Sequence, residues 1–252
     1  VLGSEDALAV VTRLVSSRQT LDAQNELEAF RNASGPLMYP SIDREINRIQ
    51  RTIQSQARKQ QNRERKAVEA QVNQELDRVK AIIANNAQFV TRKEFRKAEE
   101  AIPPLDGELT TPDAKAFAQL LRERYERMEG LRRLIIDGIR ASPYPKSSSP
   151  ELRGDVVFAT SAGITIKLGD VGTLDQTWEQ VSIRLFVQMA RDYILNSKLS
   201  EPEKADKLLS LTLLVNDLGS TKSAAALATQ ANQMDPNIAP TIKRFLPDLV
   251  YP

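Results

Sequence analysis

The sequence predicts a mainly α fold in which a long antiparallel helical hairpin is followed by a small β-meander and an α-helical C-terminus. Three observations predict it. Residues 41–87 contain no Pro or Gly, and apolar residues recur near both ends at helical spacings of three and four. Residues 142–150 contain three prolines and four serines, which a helix does not accommodate. Between residues 156 and 178 the apolar residues alternate, as in short strands.

The composition excludes most of the common catalytic and metal-binding chemistries. The 252 residues include no Cys and no His, which excludes disulfides, thiolate or imidazole metal sites, Cys nucleophiles and His-based triads. Neighbouring carboxylates such as Glu99 and Glu100 are explained by a solvated helix surface. We therefore predict that the chain is not an enzyme and that it binds neither a cofactor nor a metal ion.

The sequence predicts no membrane insertion, because it contains no run of about 18 apolar residues. The chain begins at Val1 rather than Met, so we expect it to be part of a longer protein. The compartment stays open at this point, with an extracytoplasmic location favoured over a cytoplasmic one.

Two short helices are predicted before the long one, the second beginning near Thr20 and ending at Gly35-Pro36. Ser41 is the predicted N-cap of the long helix, which we expect to end at Asn85-Asn86. Its middle, Gln54–Lys66, is polar almost throughout, so we expect packed ends and a solvated middle. The apolar residues at the two ends are Ile42, Ile46, Ile49 and Ile53, and Val68, Val72, Leu76, Val79 and Ile83.

The predicted return partner of the long helix begins at Thr111-Pro112, where an N-cap precedes Pro in the first helical position. It runs to about Ala141 and contains Gly130 and Gly138, each of which weakens a helix by about 1 kcal/mol relative to Ala. A shorter helix before it is predicted to open with a capping box, Thr91–Glu94.

The Pro- and Ser-rich stretch predicts a linker over residues 143–152. It would separate a helical domain, residues 1–142, from a second domain, residues 153–252, which holds the β-meander and the last helices. The isoleucines of the second strand should share a buried face that Trp178 covers. Because a sheet of three short strands is only marginally stable by itself, we expect the strands to pack on the helices that follow.

The stretch from Leu208 to Pro236 resembles a tetratricopeptide repeat. The positions that match the leucine, the inter-helix turn, the two small packing residues and the proline of that family are Leu211, Gly219, Ala224, Ala231 and Pro236. The family's bulky positions are replaced by Leu208, Val215 and Ala228. The resemblance implies a tetratricopeptide-like helical hairpin with a free face for a partner. The residues that would form this face are Leu209, Leu213 and Asn216.

The strand trio followed by Trp178 and a helix is similar to β-meanders in the extracytoplasmic parts of large bacterial proteins, including receptor-like serine/threonine kinases. This resemblance implies, as one alternative, the sensor region of such a kinase. The leading hypothesis is a non-catalytic protein-interaction or scaffolding region of a larger bacterial protein, with a protein or peptide partner.

Nucleic-acid binding through the long helix is another alternative. Residues 43–66 contain eight basic residues against three acidic ones, and basic side chains along a helix can contact phosphates. The residues assigned to this role are Arg58, Lys59, Arg63 and Arg65. A solvated helix face explains the same charges, since no aromatic residue is interleaved for base stacking. Self-association through the isoleucines at Ile42–Ile53 is a further alternative.

Overall fold

The computed structural model describes residues 4–17, 19–34, 40–104 and 107–251. These residues form nine α-helices and one three-stranded antiparallel sheet, which confirms the mainly α class with a small β-meander. The chain divides into two compact units, Val1–Asn73 and Gln74–Pro252. The boundary lies inside the third helix, and not at the predicted linker.

The first unit is built from α1 (Ser4–Ser16), α2 (Thr20–Ser34) and the first part of α3 (Pro40–Thr91). One apolar stripe of each helix is buried in a small shared core, as helical spacing predicts. The buried residues of this N-terminal core are Val11, Val15, Ala23, Leu27, Ile49 and Ile53.

Helix α3 continues past the predicted stop at Asn85-Asn86 and ends at Thr91. Asn86 is buried, and its Nδ2 donates to the carbonyl oxygen of Ala98 at 2.7 Å. A long-range hydrogen bond therefore uses the amide that the sequence suggested as a helix terminator. The prediction failed because it weighed only the local preference of Asn for helix ends.

The end of α3 is a Schellman turn, in which Lys93 adopts a φ of 59°. The backbone N–H of Glu94 donates to Phe89 O at 2.8 Å, and that of Lys93 to Val90 O at 3.0 Å. The predicted capping box is wrong, because Thr91 is the last residue of α3 and its hydroxyl donates back to Ala87 O. The short helix α4 (Phe95–Glu100) follows.

Helix α5 (Pro112–Ala141) and the last part of α3 run in the same direction. Glu75 of α3 accepts from the N–H of Thr111 at 2.9 Å, and the carbonyl oxygen of Lys93 accepts from Arg132 at 3.4 Å. The partner of Lys93 lies further along α5 than the partner of Glu75, so the two helices are parallel. This differs from the predicted antiparallel hairpin. The short helix α4 lies between the two in the sequence.

The sheet contains β1 (Asp155–Ala159), β2 (Gly163–Lys167) and β3 (Thr173–Thr177), in that spatial order. Ile164 and Ile166 of β2 are buried together, as predicted, and so is Trp178. The Trp178 ring meets the ring of Phe186 edge-on at 5.8 Å. Strand β1 also packs on α5, the helix that precedes the sheet in the sequence. The β-meander region therefore contacts a helix that precedes it and, through Trp178, a helix that follows it.

Residues 143–152 are part of the folded second unit. Tyr144 pairs with Val156 beside β1, Lys146–Ser148 form a 3₁₀ turn, and Leu152 is buried. The prolines and serines predicted correctly that the stretch is not α-helical, but the packed apolar side chains make it a structured connection and not a linker between domains.

The remaining helices are α6 (Ile183–Asn196), α7 (Glu201–Asp217), α8 (Thr221–Met234) and α9 (Ala239–Phe245). Helix α7 begins as predicted, with the Glu203 carboxylate accepting from the backbone N–H of Ser200 at 2.8 Å. It packs against α5, α6 and α8 and is the central helix of this unit.

Candidate functional site

The face predicted from the tetratricopeptide resemblance is not a surface. The side chains of Leu209 and Leu213 are fully buried, and Asn216 is half-buried. Every residue from Leu208 to Val215 is buried, because α7 has neighbours on all sides. The assignment of Leu209 and Leu213 to a partner-facing surface is therefore wrong. The helical hairpin of α7 and α8 forms part of the hydrophobic core.

An ion pair joins the C-terminal end of α7 to α5. Arg124 of α5 donates from Nε to Oδ2 of Asp217 at 2.9 Å, and the two side chains are 15% and 19% exposed. Burial raises the pKa of the Asp217 carboxyl, and the Arg124 guanidinium opposes that shift. The charge of Asp217, next to Asn216, is therefore neutralised by Arg124 and is not free for a partner.

The most exposed part of the described helices is the segment Ala57–Ala70 of α3. Every residue in it is exposed, so the helix is in contact with solvent around its whole circumference. Val68, expected at a packed end, has 59% of its surface exposed. The predicted solvated middle is confirmed, and it extends further toward the C-terminus than the apolar spacing indicated.

The four basic residues assigned to nucleic acid lie in this exposed segment but do not form one cluster. With about 100° of rotation per residue, Arg58 and Arg65 share one side of the helix. Lys59 is turned about 100° from Arg58, and Arg63 about 140°. Arg65 pairs with Glu69 at 3.5 Å, whereas Arg58, Lys59 and Arg63 form no ion pair among the described residues.

The isoleucine run proposed for self-association is partly used inside the chain. Ile49 and Ile53 are buried in the N-terminal core. The side chains of Ile42 and Ile46 lie outside the described part of the structure. Pairing between chains through Ile49 and Ile53 would require opening that core.

A cleft of about 720 Å³ lies between the C-terminal ends of α5 and α6. On its wall Tyr144 donates to Oδ2 of Asp192 at 2.5 Å, and Tyr193 donates to Ser142 O at 3.1 Å. The two rings lie 5.7 Å apart. Both tyrosine hydroxyls therefore have partners within the chain, and the cluster fastens the connection after α5 to α6.

The tyrosine cluster also explains one of the two glycines of α5. A Cβ at Gly138 would lie 2.4–2.7 Å from ring atoms of Tyr193, so only glycine lets the ring pack on the helix backbone. Burial and the nearby Asp192 carboxylate raise the pKa of Tyr193 to about 12. Burial and the hydrogen bond to Asp192 also raise the pKa of Tyr144. Neither phenol is prepared to ionise near neutral pH.

Lys93 is a buried cation that the sequence analysis missed. Its Nζ donates to Trp178 O at 3.0 Å and also to Val181 O, and 2% of the residue surface is exposed. Burial lowers the pKa of Lys93, partly offset by Glu179. The only local signal is a Lys in a polar turn after a long helix, which many exposed lysines share. Lys93 ties the end of α3 to the segment between β3 and α6.

The described residues contain no group of three carboxylate, His or Cys side chains placed to hold a metal ion. Within the same residues, no helix combines the length and apolar character needed to cross a membrane. No protein-family model, curated protein or solved structure matches this chain. Function is therefore inferred from the surfaces of the chain itself.

Proposed function

We propose that this chain is a non-catalytic protein-interaction module and that the exposed segment Ala57–Ala70 of α3 is its contact surface. The observation that carries the proposal is the exposure of every residue in this segment. A helix that is polar all round has no packing energy of its own to keep it in place. A protein partner would supply the missing packing.

The side chains of this segment suit a contact that forms without refolding. They are mainly Ala, Arg, Lys, Gln and Glu, which are strong helix formers, and they are stabilised locally by pairs such as Gln60 with Glu64 at 2.7 Å. A partner can therefore meet a preformed helix, and binding requires little additional ordering. Arg, Lys, Gln and Asn supply hydrogen-bond donors along its length.

Nucleic-acid binding by the same helix is the second candidate, favoured by the exposed cations Arg58, Lys59 and Arg63. The absence of aromatic residues from the segment removes the stacking contacts that single strands use. The wide angular spread of the cations also leaves only part of them able to face one duplex. A protein surface therefore accounts better for the segment.

A photo-crosslinking amino acid at Gln61, inside the exposed segment, tests the proposal in extract of the cells that encode the chain. Val171, with 91% of its surface exposed in the loop between β2 and β3, is the matched position. We expect Gln61 to give a discrete protein adduct that excess unlabelled chain removes, and Val171 to give none. The partner, once purified, should bind the wild-type chain directly. The same adducts at both positions, no adduct, or an adduct removed by nuclease would refute the proposal.

A further inference from the structure

Arginines recur every seven residues along the exposed side of α3. They are Arg44, Arg51, Arg58 and Arg65, and all four are exposed. Seven residues rise about 10.5 Å and fall about 20° short of two full turns. The four guanidinium groups are therefore carried by one strip of the helix, about 32 Å long and about 60° wide. We call this strip the arginine ladder.

The ladder faces away from the N-terminal core. Ile49 and Ile53, which are buried in that core, are each rotated about 160° from Arg51. The only ladder residue that forms an ion pair among those the structure describes is Arg65, with Glu69 at 3.5 Å. The ladder is thus a row of regularly spaced positive charges, and the residues that the structure describes supply an opposite charge to Arg65 alone.

We propose that the arginine ladder binds an acidic helix of the protein partner, one in which carboxylates recur every seven residues; this deepens, and rests on, the proposed function. A helix lying beside α3 has the same rise per residue, so carboxylates seven apart meet the arginines step for step. The 20° drift per step is the drift that a left-handed pair of helices follows. Each arginine can engage a carboxylate through two parallel hydrogen bonds.

The repeat also argues against other anionic partners. Phosphates on a DNA duplex follow a curved path with about 3.4 Å of axial rise per strand, so a straight row spaced at about 10.5 Å matches them poorly. An anionic membrane surface would favour apolar residues between the cations, and the positions between Arg51 and Arg58 on this side are Gln54 and Ser55. Spacing and charge together favour a helix.

The contact depends on several weak pairs acting together. A single exposed Arg–carboxylate pair contributes little binding free energy. Once one pair has formed, however, the remaining carboxylates are held near their arginines at a high effective concentration, so four pairs together bind more tightly. We expect modest affinity and a steep loss of binding with salt, because exposed charges are screened. A partner with the right charges at the wrong spacing should engage only one or two arginines.

Two labelled helical peptides of identical composition test this inference by fluorescence anisotropy on the whole chain. One carries four glutamates seven residues apart, and the other carries them alternately five and nine apart. At about 50 mM salt we expect the first to bind at least about tenfold more tightly, and this preference to disappear near 500 mM salt. Equal binding of the two peptides would overturn the proposal, as would displacement of both by a DNA duplex that binds more tightly.

A matched pair of charge reversals locates the contact. Arg58→Glu removes a ladder residue, and Arg63→Glu makes the same charge change about 140° away on the same exposed helix. We expect about a tenfold loss of heptad-peptide binding for the first and less than about threefold for the second, with unchanged helical circular dichroism in both. Equal losses would overturn the ladder. A protein adduct at Gln61 together with equal losses overturns only the ladder, whereas the absence of that adduct overturns the proposed function.

Discussion

Replacing Lys93 by Met removes a buried cation while keeping an unbranched side chain of similar length. Two carbonyl oxygens, of Trp178 and Val181, lose their donor, and each unsatisfied buried acceptor costs about 1–3 kcal/mol. Relief from burying a charge offsets part of this cost. We expect a net loss of about 2–3 kcal/mol, which corresponds to a fall in Tm of about 4–12 °C, measured by thermal and urea unfolding.

Lys97→Met is the matched control, because the Lys97 side chain is 60% exposed and its one ion pair among the described residues is with Glu94. We expect that change to stay within about 0.5 kcal/mol. If Lys93→Met were as stable as Lys97→Met, the two carbonyl oxygens would have other partners, and the role given to Lys93 in joining α3 to the segment between β3 and α6 would be wrong.

The pH dependence of the same variant gives an independent check. Burial lowers the pKa of Lys93 below its ordinary value of 10.5, so between the lowered pKa and 10.5 the unfolded state binds more protons than the folded state. Stability from this group therefore rises with pH in that window. The free energy of unfolding of the wild type relative to Lys93→Met should increase on approaching pH 10.5. A flat or falling difference would contradict the assignment.

Three further predictions concern packing and capping. Hydrogen bonds from the residues at the start of α5 lower the pKa of Glu75 to about 2, so the contribution of Glu75 to folding stability is present above pH 4.5 and is lost as pH falls toward 2. In acid titrations the difference in stability between wild type and Glu75→Gln should therefore disappear across that range. Gly138→Ala should destabilise by about 1–3 kcal/mol because of the clash with Tyr193, while Gly130→Ala, which meets open space, should stabilise by about 0.5–1 kcal/mol in the same denaturation assay. Leu213→Ala should cost about 2–5 kcal/mol in urea unfolding, and a neutral result would show that α7 has a free face.

Local periodicity was enough to predict most of the helices and strands, but not where α3 ends or where α4 begins. The alternation around Ile164 and Ile166 located β2, and the pattern Ser200 to Glu203 located the start of α7. Long-range contacts decided what periodicity could not. Asn86 is held by Ala98, twelve residues away, and Lys93 takes a left-handed conformation that local preference assigns to Gly or Asn.

The candidate site was harder to predict than the fold. Leu209 and Leu213 were assigned to a surface from a family resemblance, although the run Leu208–Val215 is apolar on all sides of a helix, a pattern typical of a buried one. The polar middle of α3 was predicted correctly because no packing partner is needed to explain it. Which basic residues act together depends on their angular position around the helix, and the charge count alone does not contain that information.

Hydrogen–deuterium exchange of the whole chain, alone and with the heptad glutamate peptide, tests most directly whether the exposed side of α3 is a binding surface. In the free chain, amides of residues 57–70 should exchange faster than those of the buried middle of α5, because no packed neighbour protects them. With the peptide, we expect slower exchange over residues 44–65 and no change elsewhere. Unchanged exchange there, or protection confined to the tyrosine cleft around Tyr144 and Tyr193, would contradict the account.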